Sequence, residues 1–167
     1  SEENGTPRIT KTTLSEGDEE LLDVCFGPAS TIWRINLGWS RRKEKSIYGF
    51  NIDINTGEWA KDEQAPADEN DDATKTARVV QRITPFVEDS RNILIIQPKM
   101  DIADVPMTTL QYALKRGIEA VFQLEESELA AEPLPNRDER NAILFYESAE
   151  GGAGVLTRLA SDKTAFK

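Results

Sequence analysis

The amino-acid sequence predicts an α+β fold, with a mixed, mainly antiparallel sheet and two packed helices, one long and one short. Apolar and polar residues alternate with period two over residues 31–39 and 48–54, which indicates half-buried strands. An apolar stripe with steps of three and four residues runs through 107–124 and indicates an amphipathic helix. An apolar run at 143–146 leads through glycines into a short amphipathic segment, which predicts a strand, a tight turn and a second helix.

The predicted organisation along the chain has four parts. Residues 1–20 are polar and acidic, and we expect at most a short edge strand there. Residues 21–60 form a β-hairpin region, and 77–167 form an α/β region. Between them, 61–76 carry too little apolar surface to offset the entropy of ordering, so we predict an acidic linker or mobile loop. The length of 167 residues suits one domain, or one domain with an appended hairpin.

The hairpin region is predicted to pair its two strands in a twisted antiparallel hairpin. Trp33 and Trp39 lie on the apolar side of the first strand, so we expect both in the core. The tip of the hairpin is basic, because four cations fall within five residues: Arg41, Arg42, Lys43 and Lys45. Asn55-Thr56-Gly57 supply the turn that follows the second strand.

The α/β region begins with strands and continues with a long helix. We predict a strand over 77–87 that is interrupted by Pro85, a turn at 88–92, and a buried strand at 93–96. The apolar stripe of the helix consists of Met107, Leu110, Leu114, Ile118, Val121 and Phe122.

The ends and the interior of this helix carry further signals. Asp104 is a candidate N-cap, and Gly117 inside the helix predicts a close packing contact, since glycine costs about 1 kcal/mol there relative to alanine. Residues 125–129 either extend the helix or lead into an edge strand. A final strand is predicted over 142–146.

Composition excludes several classes of function. With 20 basic and 30 acidic residues the net charge is −10, which works against sequence-blind phosphate binding by the whole chain, so any nucleic-acid contact must be local. The absence of histidine removes the commonest general base and metal ligand. Cys25 is the single cysteine, so we expect a small buried residue and no disulfide, as in a reducing cytoplasm. No apolar run reaches the roughly 18 residues of a membrane span, and we expect no membrane partner.

The glycine turn, Gly151, Gly152 and Gly154, is the most informative local motif. A strand, a glycine-rich loop and a helix can together present backbone N–H groups to a phosphate. The chain contains neither the G-x-G-x-x-G nor the G-x-x-x-x-G-K-[ST] pattern, however, and acidic residues flank the loop. We therefore predict a structural glycine loop.

Two carboxylates, Glu147 and Glu150, bracket the glycine turn. Paired acids serve as proton donor and base in glycoside hydrolysis, which keeps a stand-alone carboxylate enzyme as an alternative. No histidine or aromatic sugar platform accompanies the pair. We expect no catalytic residue and no metal site in these residues.

The basic tip has two interpretations. Arg41, Arg42, Lys43 and Lys45 can contact phosphates while an exposed aromatic ring stacks on a base. A charged hairpin turn equally serves a soluble sheet edge by blocking aggregation. We predict these four cations as the nucleic-acid-binding residues.

The second half of the chain resembles a helicase-associated family, long filed as a domain of unknown function and later called the MrfA-type zinc-binding domain. The resemblance covers residues 78–160. Its motifs are Thr109-Leu110, Ala113-Leu114-Lys115-Arg116-Gly117-Ile118-Glu119, Glu128-Leu129-Ala130-Ala131-Glu132 and the glycine turn. A second stretch, Gly27 to Trp39, is similar to the large helicase subunit of DISARM, a bacterial anti-phage system.

This resemblance implies a non-catalytic accessory region of a bacterial superfamily-two DNA helicase or translocase in anti-phage defence. Such a region braces the motor and contributes to binding nucleic acid or a partner, and the alternative is a protein-only docking scaffold. The implied partners are the rest of the polypeptide, DNA and a second defence subunit. ATP and Mg would belong to a motor elsewhere in the polypeptide.

The chain departs from the family in its ligands for zinc. The family holds zinc with a cluster of cysteines, whereas Cys25 stands alone here and no histidine is present. We therefore expect no cofactor in these residues. We interpret the chain as a fragment whose zinc cluster lies downstream.

Overall fold

The computed structural model of this protein describes residues 9–42, 44–60, 79–100, 103–149 and 154–162, with Asp104 and Val105 described by their backbone alone. The elements in chain order are β1 Thr10–Glu16, β2 Glu19–Ile35, β3 Phe50–Asp53, β4 Trp59–Ala60, β5 Val80–Ile83, β6 Phe86–Pro98, α1 Asp104–Phe122, β7 Leu129–Pro135, β8 Arg140–Glu147 and α2 Val155–Ser161. The predicted α+β class, with one long and one short helix, is confirmed.

The chain divides into two compact units. Unit 1 combines residues 1–32 with 89–167, and unit 2 comprises residues 33–88. One sheet has five strands in the order β1-β2-β6-β8-β7, and the other has three strands in the order β4-β3-β5. The predicted linker at 61–76 lies outside the described residues.

The core lies in unit 1, on one face of the five-stranded sheet. β6 and β8 pair antiparallel with Leu94 opposite Phe145 and Ile96 opposite Ile143, and these four side chains are buried. They lie on the same face because side chains alternate along a strand. The buried strand predicted at 93–96 and the final strand predicted at 142–146 are therefore confirmed.

Helix α1 packs on this sheet with most of its predicted stripe. Met107 and Ile118 are buried, and Leu110, Leu114 and Phe122 pack partly buried against the core. Val121 is 66% exposed, so its predicted place in the stripe is wrong. It follows Ile118 by three residues, but the helix ends one residue later at Phe122, and Gln123 takes the left-handed conformation at the C-cap.

Two other predictions about α1 are also wrong. The N-cap is Ala103, without a side-chain cap hydrogen bond, and Asp104 is the first helical residue. Gly117 is exposed, and a Cβ placed there would meet no atom within 4 Å, so no close packing contact explains this glycine.

The strand after α1 resolves the alternative that the sequence left open. Residues 125–128 form a turn, and the chain then enters β7 at the edge of the five-stranded sheet. Pro133 and Pro135 lie inside β7, where a residue without an N–H is tolerated because one side of an edge strand has no ladder to complete.

The predicted hairpin between 31–39 and 48–54 does not form. β2 ends at Ile35 and neighbours β1 and β6, whereas β3 pairs antiparallel with β4 and β5. The first predicted strand ends early, at Ile35, and three residues later Gly38 takes a positive φ of 112°, which a strand does not accommodate. A Cβ on Gly38 would lie 2.8 Å from the carbonyl oxygen of Gly49, so only glycine allows the two backbones to approach this closely.

The predicted turn at 88–92 is also wrong, since β6 continues through these residues without a break. Their polar composition has another cause. Arg91 Nη1 donates to the carbonyl oxygen of Glu147 at 3.2 Å, and Asn92 Nδ2 donates to the Glu147 carboxylate at 3.2 Å. The interruption at Pro85 is confirmed, because it separates β5 from β6.

Candidate nucleic-acid interface and glycine turn

The predicted basic tip lies in a closed loop of unit 2, residues 36–49, which we call the basic loop. The Gly49 N–H donates to the carbonyl oxygen of Leu37 at 3.0 Å and closes the loop at its base. The Asn36 N–H donates to the carbonyl oxygen of Pro85 at 2.8 Å and anchors its first residue. The loop therefore holds a defined shape without the predicted strand pairing.

The cations of the basic loop have different environments. The Arg42 guanidinium donates to the carbonyl oxygens of Trp39 at 3.2 Å and of Lys45 at 2.8 Å, and it lies 5.3 Å from the centre of the Tyr48 ring. Arg42 is thus committed to the loop itself. Arg41 and Lys45 are exposed, and Lys43 lies outside the described residues.

Local hydrogen bonds shape the rest of the loop. Ser46 donates to the Glu44 carboxylate through its hydroxyl at 2.7 Å and through its backbone N–H at 3.4 Å. The hydroxyl and then the N–H hold the pKa of Glu44 below its usual value of 4.5. Glu44 is therefore ionised at neutral pH and faces Ser46.

Aromatic side chains of unit 2 lie beside this loop. Trp39 contacts Phe50 edge-on, with ring centres 5.4 Å apart, and Phe50 contacts Trp59 at 5.4 Å. We call these three residues the ring cluster. Trp39 is 64% exposed and Trp59 is 60% exposed, and Trp33, stacked on Phe86 at 5.3 Å, is also exposed. The prediction that Trp33 and Trp39 are core residues is wrong, because alternation identifies an apolar face but not whether anything covers it.

Exposure of large apolar side chains is general in unit 2. Those that are exposed in its described residues are Trp33, Ile35, Leu37, Trp39, Ile47, Tyr48, Ile54, Trp59, Val79, Val80, Phe86 and Val87. Soluble proteins seldom leave so many apolar groups together at the surface without a binding role.

Of the three glycines in the glycine turn, Gly154 is among the described residues, and Gly151 and Gly152 lie outside them. Gly154 is the N-cap of α2 and has a positive φ of 73°, a conformation that glycine adopts without strain. The predicted short helix after the turn is confirmed by α2, in which Val155, Leu156 and Leu159 are buried.

Glu147 holds the start of α2 from the end of β8. It shares the core face of β8 with Ile143 and Phe145, and it is 2% exposed. Its Oε1 accepts the Leu156 N–H at 2.8 Å, and its Oε2 accepts from Asn92 at 3.2 Å. A carboxylate is favourable at the positive end of a helix, so Glu147 occupies the place that a bound anion would take.

This arrangement bears on the carboxylate pair. The Glu147 carboxylate is committed to a backbone N–H and an amide, while Glu150 lies outside the described residues. Asn92 connects the network further, since its Oδ1 accepts the Ala29 N–H at 3.1 Å. The geometry gives Glu147 a structural role, which the sequence signalled only through its position at the end of an apolar strand.

A second charged cluster lies at the β1 edge of the five-stranded sheet. The buried Asp23 carboxylate lies 2.9 Å from Lys11 Nζ and 3.1 Å from Lys99 Nζ, and it accepts the Thr13 hydroxyl at 2.8 Å. Lys11, Thr13 and Lys99 lower the pKa of Asp23 to about 2, against the effect of burial. The sequence did not indicate this cluster, because these residues are distant along the chain and come together only when the strands pair.

The residues present do not fit a zinc site. Cys25 is partly buried in β2, and the part of the chain that the structure describes contains no group of three His, Cys, Asp or Glu side chains able to hold a metal. A closed structural zinc site needs four ligands, mainly sulfur or nitrogen, and the sequence has one cysteine and no histidine. Within the same described part, no helix is long and apolar enough to cross a membrane.

Comparison with known proteins finds a family match for part of the chain. Residues 110–165 match the family model of the MrfA Zn-binding domain, which confirms the predicted resemblance for this segment and supports a helicase-associated accessory domain. None of the curated proteins matches the chain.

One solved structure, the crystal structure of the DUF1998 helicase MrfA bound to DNA, is similar to 93% of this chain at 10% sequence identity, with a TM-score of 0.45. The chain spans 19% of the length of that helicase chain.

Proposed function

Because residues 110–165 match the MrfA Zn-binding domain, we propose that this chain is a non-catalytic accessory region of an ATP-dependent superfamily-two DNA helicase or translocase. The motor, with its ATP and Mg, belongs elsewhere in the polypeptide, and the whole protein acts in the cytoplasm in bacterial anti-phage defence. The accessory region braces the motor and contributes to DNA binding, and a second defence subunit is a further partner.

The observation that carries the DNA-binding role is the distribution of charge. Residues 33–49 contain five basic residues and one acidic residue, in a chain of net charge −10. Unit 2 has nine basic and ten acidic residues, whereas unit 1 has eleven basic and twenty acidic residues. The cations thus concentrate in the segment that contains the basic loop, where Arg41 and Lys45 are exposed. Phosphate contacts need such local cations.

The test replaces Arg41 and Lys45 together by alanine in the full-length protein, and leaves Arg42 unchanged because it holds the loop. We expect weaker DNA binding and a log–log salt dependence that is flatter by about one unit for each phosphate that the protein no longer neutralises. Arg137→Ala, which removes an exposed cation of unit 1, is the matched control and should change neither quantity. Unchanged affinity and salt slope in the double variant would refute the DNA-binding role.

The exposed apolar side chains of unit 2 favour a second candidate, a protein-only docking scaffold. In that case the Arg41 and Lys45 variant leaves DNA binding unchanged. Val87→Ser, which adds a polar group to the exposed apolar surface, would then weaken association with the partner polypeptide. The stand-alone carboxylate enzyme receives no support from Glu147, whose carboxylate is committed to the start of α2.

A further inference from the structure

The three-stranded sheet of unit 2 has one apolar face, which its register defines. Phe50 and Ile52 lie on the same face because they are two residues apart in β3. Trp59 lies opposite Ile52, and Ile83 lies opposite Phe50, so both share that face. None of these four side chains is buried. Trp59 is exposed on this face, and Phe50, Ile52 and Ile83 are partly buried, so the described residues cover the aromatic and aliphatic face of this sheet only in part.

The rings on this face keep flat surfaces accessible. The planes of Trp39 and Phe50 are inclined by 82°, and an edge-on contact occupies the face of only one of the two rings. Phe50 and Trp59 are inclined by 59°, which is also far from a parallel stack. By contrast, Trp33 and Phe86 are inclined by 12° and cover each other. Trp39 and Trp59, which are 64% and 60% exposed, thus leave ring surface open to a planar ligand, whereas the stacked Trp33–Phe86 pair uses one face of each ring for its own contact.

Positive charge accompanies the ring cluster. The single guanidinium of Arg42 donates to the carbonyl oxygens of both Trp39 and Lys45, so it brings the backbone of an exposed cation close to that of an exposed ring. Arg82 Nη1 donates to the carbonyl oxygen of Tyr48 at 3.4 Å, so a second guanidinium reaches the same loop. A ligand that combines planar apolar rings with negative charge complements this surface, and unpaired nucleotides have both properties.

We propose that the ring cluster of unit 2 is a stacking platform for the unpaired bases of single-stranded nucleic acid, with Arg41 and Lys45 contacting the adjacent phosphates. Trp39 and Trp59 supply the stacking surfaces, and Phe50 holds the two rings in place between β3 and the basic loop. This inference rests on the proposed DNA-binding role and specifies its substrate class. Because every base has a π-face, such a platform does not depend on sequence.

The test compares three probes with the full-length protein in the absence of ATP: a thymidine oligonucleotide, an abasic strand of the same length and charge, and a duplex. Trp39→Leu and Trp59→Leu keep apolar bulk but remove the ring. Each should weaken binding to the thymidine strand by about 5- to 150-fold for each base that no longer stacks. Binding to the abasic strand should not change, because it has phosphates but no bases.

Two controls separate stacking from folding. Trp39→Phe and Trp59→Phe retain an aromatic face and should restore most of the affinity for the thymidine strand. Tyr112→Leu removes a ring of similar exposure, 63%, from α1 of unit 1 and should have no effect. Equal loss on the thymidine and abasic strands, or equal loss in the Leu and Phe variants, would overturn the stacking platform.

The outcomes also separate this inference from the proposed function. If the Arg41 and Lys45 variant weakens binding to the thymidine and abasic strands while the Leu variants change neither, DNA binding stands and the stacking platform is refuted. If the charge variant and the Leu variants all leave binding unchanged, both are refuted. If Trp59→Leu weakened binding to the duplex more than binding to the thymidine strand, the preference for unpaired bases would also be overturned.

Discussion

The two units of this chain use similar apolar residues in different ways. All twelve members of the buried apolar cluster belong to unit 1, where α1 and α2 pack against the sheet. In the described residues of unit 2 the buried positions are Gly49 and Asp53, and twelve large apolar side chains are exposed. Strands in both units alternate apolar and polar residues, but the apolar side chains are buried in unit 1 and largely exposed in unit 2. In unit 1 two helices pack on the apolar face of the sheet, whereas the described residues of unit 2 contain no helix.

This difference indicates a division of labour. Burial of apolar side chains is the main favourable contribution to folding, so unit 1 carries most of the stability of the described chain. Unit 2 holds its shape through turns, backbone hydrogen bonds and ring contacts, for example the Asx turn in which Asp53 Oδ1 accepts the Asn55 N–H at 2.9 Å. Its exposed side chains include twelve large apolar groups and the cations Arg41 and Lys45.

The first prediction compares how much two phenylalanines, one in each unit, contribute to the free energy of unfolding. Phe145 is fully buried in unit 1, so Phe145→Ala should lower the free energy of unfolding by about 3–5 kcal/mol through reduced burial and the cavity it leaves. Phe86 is 57% exposed in unit 2 and stacks on Trp33, so Phe86→Ala should cost about 1 kcal/mol. Urea denaturation measures both values. Equal losses would show that apolar burial does not distinguish the stability of unit 1 from that of unit 2.

Sequence reasoning predicted unit 1 better than unit 2 for a physical reason. The strands that contain Leu94 and Phe145 and the helix that contains Met107 are recognisable because their apolar period coincides with burial. At Trp33 and Trp39 the same period marks side chains that the described residues leave exposed, and Gly38, three residues after the end of β2, takes a backbone conformation that alternation does not reveal.

The candidate site was predictable in part. The clustering of Arg41 and Lys45 near aromatic residues is visible in the sequence, but the commitment of Arg42 to two carbonyl oxygens is not. Trp59 joins the ring cluster only through the register of β3 and β4, so spacing along the chain could not identify it. The polar residues Arg91 and Asn92 have the composition of a turn, although they lie in a strand. Their hydrogen-bond partner, Glu147, is at least 55 residues away in the sequence, so a local pattern could not reveal it.

The second prediction concerns Glu147, a polar residue inside the well-packed unit. Glu147→Ala leaves the Leu156 N–H without its acceptor and should lower the free energy of unfolding by about 1–3 kcal/mol. Glu147→Gln retains an amide oxygen as acceptor and should cost less. Glu132→Ala removes an exposed carboxylate from β7 and should change stability by less than about 0.5 kcal/mol. Equal stability of the Glu147 and Glu132 variants would show that Glu147 does not hold α2.

The third prediction concerns the β1 edge of unit 1, where the Asp23 carboxylate is held by charged and hydroxyl partners rather than by apolar side chains, and here we expect the least change in stability. Lys11 makes the largest contribution to lowering the pKa of Asp23, and Lys99 also lowers it. Both lysines are solvent-accessible, so water screens the two ion pairs and their contribution to stability is small. The pKa of Asp23 is lowered from 3.8 to about 2 in the folded protein. A carboxyl group with a lowered folded pKa binds fewer protons when folded than when unfolded, so its contribution is present above pH 4 and is lost as the pH falls toward 2.

Asp23→Asn removes this titration and keeps a side chain that can accept from the Thr13 hydroxyl. We expect the natural chain to lose stability more steeply than the variant between pH 4 and pH 2, and the two curves to run parallel between pH 5 and pH 8. Other carboxyl groups titrate in the same acid range, and the difference between the two curves removes their contribution. Glu16→Gln, which removes an exposed carboxyl group from the same strand, is the matched control. Parallel curves for Asp23→Asn down to pH 2 would mean that Lys11 and Lys99 do not stabilise the folded carboxylate, and that β1 is held by its backbone pairing with β2 and by the packing of Leu14 against the core.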